Sequence, residues 1–107
     1  MQVIELVEQC NRALEILSGY GGDPDLKMAT KEIKSLNRQI NALDNRISKV
    51  LSYFSGFSLG LMGSAKRRIA NAETAITGGR AYDARQHLFS ARDTLTTLHE
   101  TLKKALT

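Results

Sequence analysis

The chain has 107 residues, of which 42% are hydrophobic and 24% are charged, so it is not a disordered chain and has room for one hydrophobic core. Its single cysteine excludes an internal disulfide, and a formal net charge of +4 does not by itself indicate a nucleic-acid partner. The acidic start lacks the basic region of a signal peptide, and no stretch approaches the roughly 18 apolar residues of a membrane helix. We therefore expect a cytoplasmic protein without a membrane span.

A first helix is predicted near residues 2–18. Its apolar residues step by four and three: Val3, Val7, Cys10, Leu14 and Leu17. This spacing buries one stripe of the helix, and it makes Cys10 a buried structural thiol rather than a reactive one. Gly19 follows as a natural end of the helix.

A long second helix is predicted near residues 24–59, with Asp23 as its N-cap and Pro24 at the first helical position. Its apolar residues keep steps of three and four throughout: Leu26, Ala29, Ile33, Leu36, Ile40, Leu43, Ile47, Val50, Phe54, Phe57 and Leu61. A heptad pattern of this length is typical of coiled-coil-like packing.

The apolar register slips by one residue after Leu61. It restarts with Met62, Ala65, Ile69, Ala72 and Ile76. Because one residue turns a helix by about 100°, we expect the second helix to end or kink within residues 58–64, and a third helix near 64–77.

Small residues recur at every fourth position through this break: Ser48, Ser52, Gly56, Gly60 and Ser64. Two interpretations stay open. The glycines and serines either end a helix, or they allow two helices to approach closely or to hinge.

The pair Gly78-Gly79 ends the third helix, and a fourth helix is predicted near residues 81–106. Its apolar residues again step by four and three: Ala84, Leu88, Ala91, Leu95, Leu98, Leu102 and Ala105. The predicted fold is an all-α four-helix bundle of two short-long helical hairpins, forming a single domain over residues 1–107. Because the first helix is too short to cover the second, we also expect a homo-oligomer, in the simplest case a dimer.

An apolar cluster near mid-chain is the predicted binding site for another protein. Its members are Tyr53, Phe57, Leu59 and Met62. Tyr53, Leu59 and Met62 cannot all face a core that already takes Phe54, Phe57 and Leu61, and an exposed apolar patch often marks a binding site.

Basic residues give the alternative function, a nucleic-acid-associated protein. Lys27, Lys31, Lys34 and Arg38 form a stripe on the outer face of the second helix, and Lys66, Arg67 and Arg68 follow the apolar cluster. Aligned cations can neutralise phosphates, although a solvated helix face has the same pattern.

The histidines suggest a third, more remote function. Arg80-x6-His87 and Arg92-x6-His99 resemble the Arg-x(4–6)-His spacing of HEPN ribonucleases, which are also helical bundles. This resemblance, which covers only these residues, implies a histidine in acid–base chemistry and an arginine that steadies a phosphate. No metal-ligand or cofactor motif is present. We therefore expect no catalytic residues, no metal and no cofactor, and a non-enzymatic adaptor, inhibitor or small assembly subunit.

Overall fold

A computed structural model describes residues 2–18, 25–54 and 56–106, with side chains described in 2–18, 25–50 and 56–104. Four α-helices follow one another: α1 (Val3–Ser18), α2 (Leu26–Phe54), α3 (Gly56–Thr77) and α4 (Ala81–Leu106). They pack compactly as a four-helix bundle, as the apolar spacing predicts. Within the described residues, no helix is long and apolar enough to cross a membrane.

The helices pack in a ring, with α1 against α2 and α4, and α3 against α2 and α4. Two polar contacts show the direction of α3 relative to α2. Asn37 Nδ2 donates to Glu73 Oε2 at 2.6 Å, and Lys66 Nζ donates to Asp44 Oδ2 at 2.7 Å. The later residue on α2, Asp44, contacts the earlier residue on α3, Lys66, so the two helices are antiparallel.

One hydrophobic core joins all four helices. Large side chains on the first two helices are completely buried, among them Leu6, Ile33, Leu36 and Ile40. The last two helices contribute many small ones: Ala65, Ala72, Ala75, Ala84 and Ala91. The core is therefore built from large side chains on one hairpin and a mixture of small and large ones on the other.

The start of α2 differs by two residues from the sequence-based prediction. Asp25 Oδ1 accepts the backbone N–H of Met28 at 3.0 Å, which makes Asp25 the N-cap of a helix that begins at Leu26. Asp23 and Pro24 lie outside the described residues, as does Gly19.

The boundary between α2 and α3 was predicted wrongly. α2 ends at Phe54 rather than near residue 59, and residues 56–77 form one continuous helix that includes Gly56, Gly60 and Gly63. The apolar stripe of α3 starts at Ser58 and continues through Met62 and Ala65, all of them buried. Packing of this stripe outweighs the poor helix propensity of the glycines, so the register slip marks a new helix rather than a break at the glycines.

The predicted end of α3 at Gly78-Gly79 is confirmed. Gly79 has a φ of +77° and donates its N–H to Ile76 O at 3.0 Å, and the N–H of Arg80 donates to Ala75 O at 2.9 Å. These two bonds form a Schellman motif, which requires a left-handed residue where glycine has no steric penalty.

Candidate functional site

Two apolar side chains stand exposed at one end of the bundle. Val50 lies one turn before the end of α2 and is 50% exposed, and Phe57 is the second residue of α3 and is 61% exposed. Because α2 and α3 are antiparallel and only residue 55 separates them, both side chains lie at the same end. We call Val50, Gly56, Phe57 and Gly60 the apolar end.

Of the four residues predicted to bind a partner, Phe57 has the largest described exposed surface. Leu59 is partly buried against the core, and Met62 is only 1% exposed, so Met62 is a core residue and cannot contact a partner. The side chain of Tyr53 lies outside the described residues. The burial of Met62 agrees with its other predicted place, at the start of the apolar register of the third helix, and Met62 follows Ser58 in the buried stripe of α3.

Val50 was predicted as a core residue and not as part of the binding site. It continues the heptad of α2, whose earlier positions Ile33, Leu36 and Ile40 are completely buried. Among the described residues, the side-chain hydrogen bonds from α1 to α2 join Gln9 to Glu32 and Ser35, in the first half of α2. The sequence did contain a signal for this exposure, because the heptad pattern of α2 is longer than α1 can cover.

Three glycines, which have no side chains, lie close to Phe57 along α3. Gly56, Gly60 and Gly63 are exposed, and a Cβ built on any of them would meet no atom within 4 Å. The proposed close approach of two helices at these glycines is therefore absent within the described part of the chain. The surface of α3 is open here, and a partner backbone can come near it.

The predicted basic residues lie on two different helices. Lys27, Lys31, Lys34 and Arg38 are exposed on the first half of α2, which agrees with an outer-face stripe. On α3, Arg67 and Arg68 are exposed, whereas Lys66 is partly buried in its ion pair with Asp44. Lys66 is thus occupied by a structural contact, and nucleic-acid binding by the others stays a prediction.

The described contacts of the histidines do not follow the Arg-x6-His spacing. Arg80 pairs with Asp83 at 3.6 Å, and Arg92 pairs with Asp93 at 3.2 Å. Arg92 also lies over the Phe89 ring, 4.9 Å from its centre. Each arginine of the HEPN-like spacing therefore has a carboxylate partner.

His87 instead meets an arginine from another helix. Arg68 Nη1 lies 3.5 Å from His87 Nδ1, which joins α3 to α4. Sequence reasoning missed this pair because the two residues are 19 positions apart. Only the pairing of the two helices brings them together.

Cys10 is a free, buried thiol. Burial raises the pKa of the Cys10 thiol from 9.0 to about 12, and the positive charge of Arg92 opposes this rise only in part. Since the thiolate is the nucleophile and the metal ligand, such a thiol is inert near neutral pH. Within the described residues, no group of three His, Cys, Asp or Glu side chains could hold a metal ion.

Gln9 is a buried polar side chain between α1 and α2. Its Nε2 donates to Ser35 Oγ at 3.3 Å and to Glu32 Oε2 at 3.5 Å, while its Oε1 is buried without a hydrogen-bond partner. Both donor contacts are long and the oxygen is unsatisfied, so the buried amide of Gln9 contributes little to the stability of the bundle.

The chain matches no protein-family model, no curated protein and no solved structure.

Proposed function

We propose that the protein is a non-enzymatic protein–protein interaction module that binds its partner through the apolar end. Adaptors, inhibitors and small assembly subunits act in this way. The proposal rests on the exposure of Phe57, whose side chain is 61% exposed. Gly56 and Gly60, next to it on α3, have no side chains that would cover the ring. Burying such a ring is worth about 1.5–3 kcal/mol, and aromatic side chains are frequent anchors of interfaces.

The partner in this proposal is another protein, and a second copy of the chain is the first to test. α2 has 29 residues whereas α1 has 16, so α1 is too short to follow α2 along its length. Val50, in the second half of α2, is half exposed although it stands in heptad register. A dimer that pairs these ends would cover Val50 and Phe57 together. The buried, unpaired Cys10 agrees with a reducing, cytoplasmic location.

The test places a photoreactive phenylalanine analogue at position 57 and, as the matched control, at position 82. Tyr82 is the second residue of α4, as Phe57 is the second residue of α3, and it is 71% exposed. We expect cross-linked adducts from position 57 and few or none from position 82. A cross-linked dimer would identify the partner as a second copy.

The corresponding variants are Phe57→Ser and Tyr82→Ser. We expect Phe57→Ser to weaken binding by about 2 kcal/mol, roughly thirtyfold, because the ring is the anchor of the interface. Tyr82→Ser should leave binding unchanged, and both variants should keep their helix content by circular dichroism. Equal adducts from both positions, or undiminished binding by Phe57→Ser, would contradict the proposal.

A further inference from the structure

A polar pocket lies on the exposed side of α3, beside its contact with α4. It encloses about 330 Å³ and is lined by Ser64, Arg67, Arg68 and Asn71. These residues are three or four positions apart, so they share one face of the helix, with the two arginines between Ser64 and Asn71. Phe57 does not line this pocket, which makes it independent of the apolar end.

The lining of the pocket consists of hydrogen-bond donors without a carboxylate. Each guanidinium only donates, while the serine hydroxyl and the asparagine amide supply further donors. Among the described residues, neither Arg67 nor Arg68 forms an ion pair with a carboxylate. The nearest acidic residue along α4, Asp83 one turn before His87, is paired with Arg80. The charge of the two guanidinium groups is therefore available to a ligand.

His87 extends this set of donors from the second helix. Its Nδ1 lies 3.5 Å from Arg68 Nη1, and because the guanidinium can only donate, Nδ1 is the acceptor when the proton is on Nε2. In that tautomer the Nε2–H group is a further donor. Arg68 thus lies beside both the pocket and His87, in a contact that is long for a hydrogen bond.

We propose that this pocket binds a phosphate monoester, with Arg67 and Arg68 on the phosphate oxygens and Ser64, Asn71 and His87 as additional donors. Guanidinium groups match phosphate oxygens in a bidentate geometry, and such charge-assisted hydrogen bonds are the strong ones. The site is one compact pocket rather than an extended track, which favours the terminal phosphate of a small ligand over the backbone of a nucleic acid.

The test is a titration of the isotope-labelled protein, followed by NMR chemical shifts, with inorganic phosphate and with adenosine 5′-monophosphate. Adenosine and a single-stranded oligonucleotide without terminal phosphates are the comparison ligands. We expect both phosphate compounds to shift the amides of residues 64–71 and the ring of His87, and adenosine to shift neither.

The variants are Arg68→Gln and, as the matched control, Arg38→Gln, which removes the same charge from an exposed arginine of α2 outside the pocket. We expect Arg68→Gln to lower the affinity for adenosine 5′-monophosphate by roughly tenfold or more, and Arg38→Gln to lower it by less than about twofold. Equal weakening by both variants would overturn the site, because it would show a general charge effect. Absence of binding by the wild type, or tighter binding of the oligonucleotide with a steep salt dependence, would overturn it as well.

Discussion

Burial decides the chemistry of Cys10 and couples this single side chain to the stability of the fold. Its pKa is raised from 9.0 to about 12 in the folded chain. Below about pH 9 the thiol is neutral in both the folded and the unfolded state, so Cys10 does not lower the free energy of unfolding in this range. Between pH 9 and pH 12 the unfolded chain releases the proton while the folded chain retains it, and stability falls.

A comparison with Cys10→Ala checks this coupling. Between about pH 8 and about pH 10, the free energy of unfolding of the wild type should fall by about 1.4 kcal/mol more than that of the variant. Urea denaturation at both pH values measures the difference, and the variant corrects for all other groups, which the two proteins share. Parallel pH profiles would show that Cys10 ionises in the folded chain as readily as in the unfolded one.

Single residues also show how far the sequence could predict the candidate site. The sequence placed Phe57 and Met62 both in an apolar register and among the partner-binding residues, and the structure exposes Phe57 and buries Met62. Val50 was predicted to be buried but is half exposed, since its surroundings depend on where α2 ends, and periodicity alone does not locate that point. The contact of Arg68 with His87 depends on the relative position of two helices, which no local pattern contains.

At the scale of the helix, the glycines inside α3 and the glycine that follows it tolerate replacement to different degrees. Gly60 and Gly63 lie inside the helix, are exposed and have open space where a Cβ would stand, whereas Gly79 has a φ of +77°. Gly60→Ala and Gly63→Ala should each raise the free energy of unfolding by about 0.5–1 kcal/mol.

The control is Gly79→Ala, which should lower the free energy of unfolding by about 1–2 kcal/mol because alanine is strained in the left-handed region. Urea denaturation of the three variants against the wild type is sufficient. If Gly60→Ala or Gly63→Ala destabilised the chain, α3 would not be helical across these positions.

The bounds of α1 and α4 were predicted to within one residue, whereas α2 ends at Phe54 instead of near 59 and α3 starts at Gly56 instead of near 64. The end of α3 carries a strong local signal, Gly78-Gly79, which forms a Schellman motif. The start of α3 has no such signal, because glycine propensity argued against a helix that the burial of Ser58, Met62 and Ala65 stabilises. The penalty of about 1 kcal/mol for each glycine is offset by this packing.

For the whole molecule, the common core predicts cooperative unfolding. All four helices contribute to one cluster of buried residues, so the two hairpins do not have separate cores. Leu95→Ala, at a completely buried position of α4, should lower the free energy of unfolding by about 2–5 kcal/mol.

The same variant should reduce amide-exchange protection in α1 and α2 as much as in α3 and α4, because loss of the shared core affects both hairpins. Hydrogen exchange measured by NMR, together with denaturation followed by circular dichroism, tests this. Two separate transitions, or loss of protection in the second hairpin only, would show that the hairpins unfold independently.

The buried alanines of α3 and α4 also bear on how the chain can change over evolutionary time. Ala65, Ala72, Ala75, Ala84 and Ala91 are at most 2% exposed, and a random substitution there nearly always adds volume. In α1 and α2, by contrast, most substitutions of the large buried residues remove volume and leave cavities. Overpacking at these alanines is therefore compensated by a smaller neighbour, whereas a cavity left at a large buried residue of either hairpin, such as Leu36 or Leu95, is compensated by a larger one.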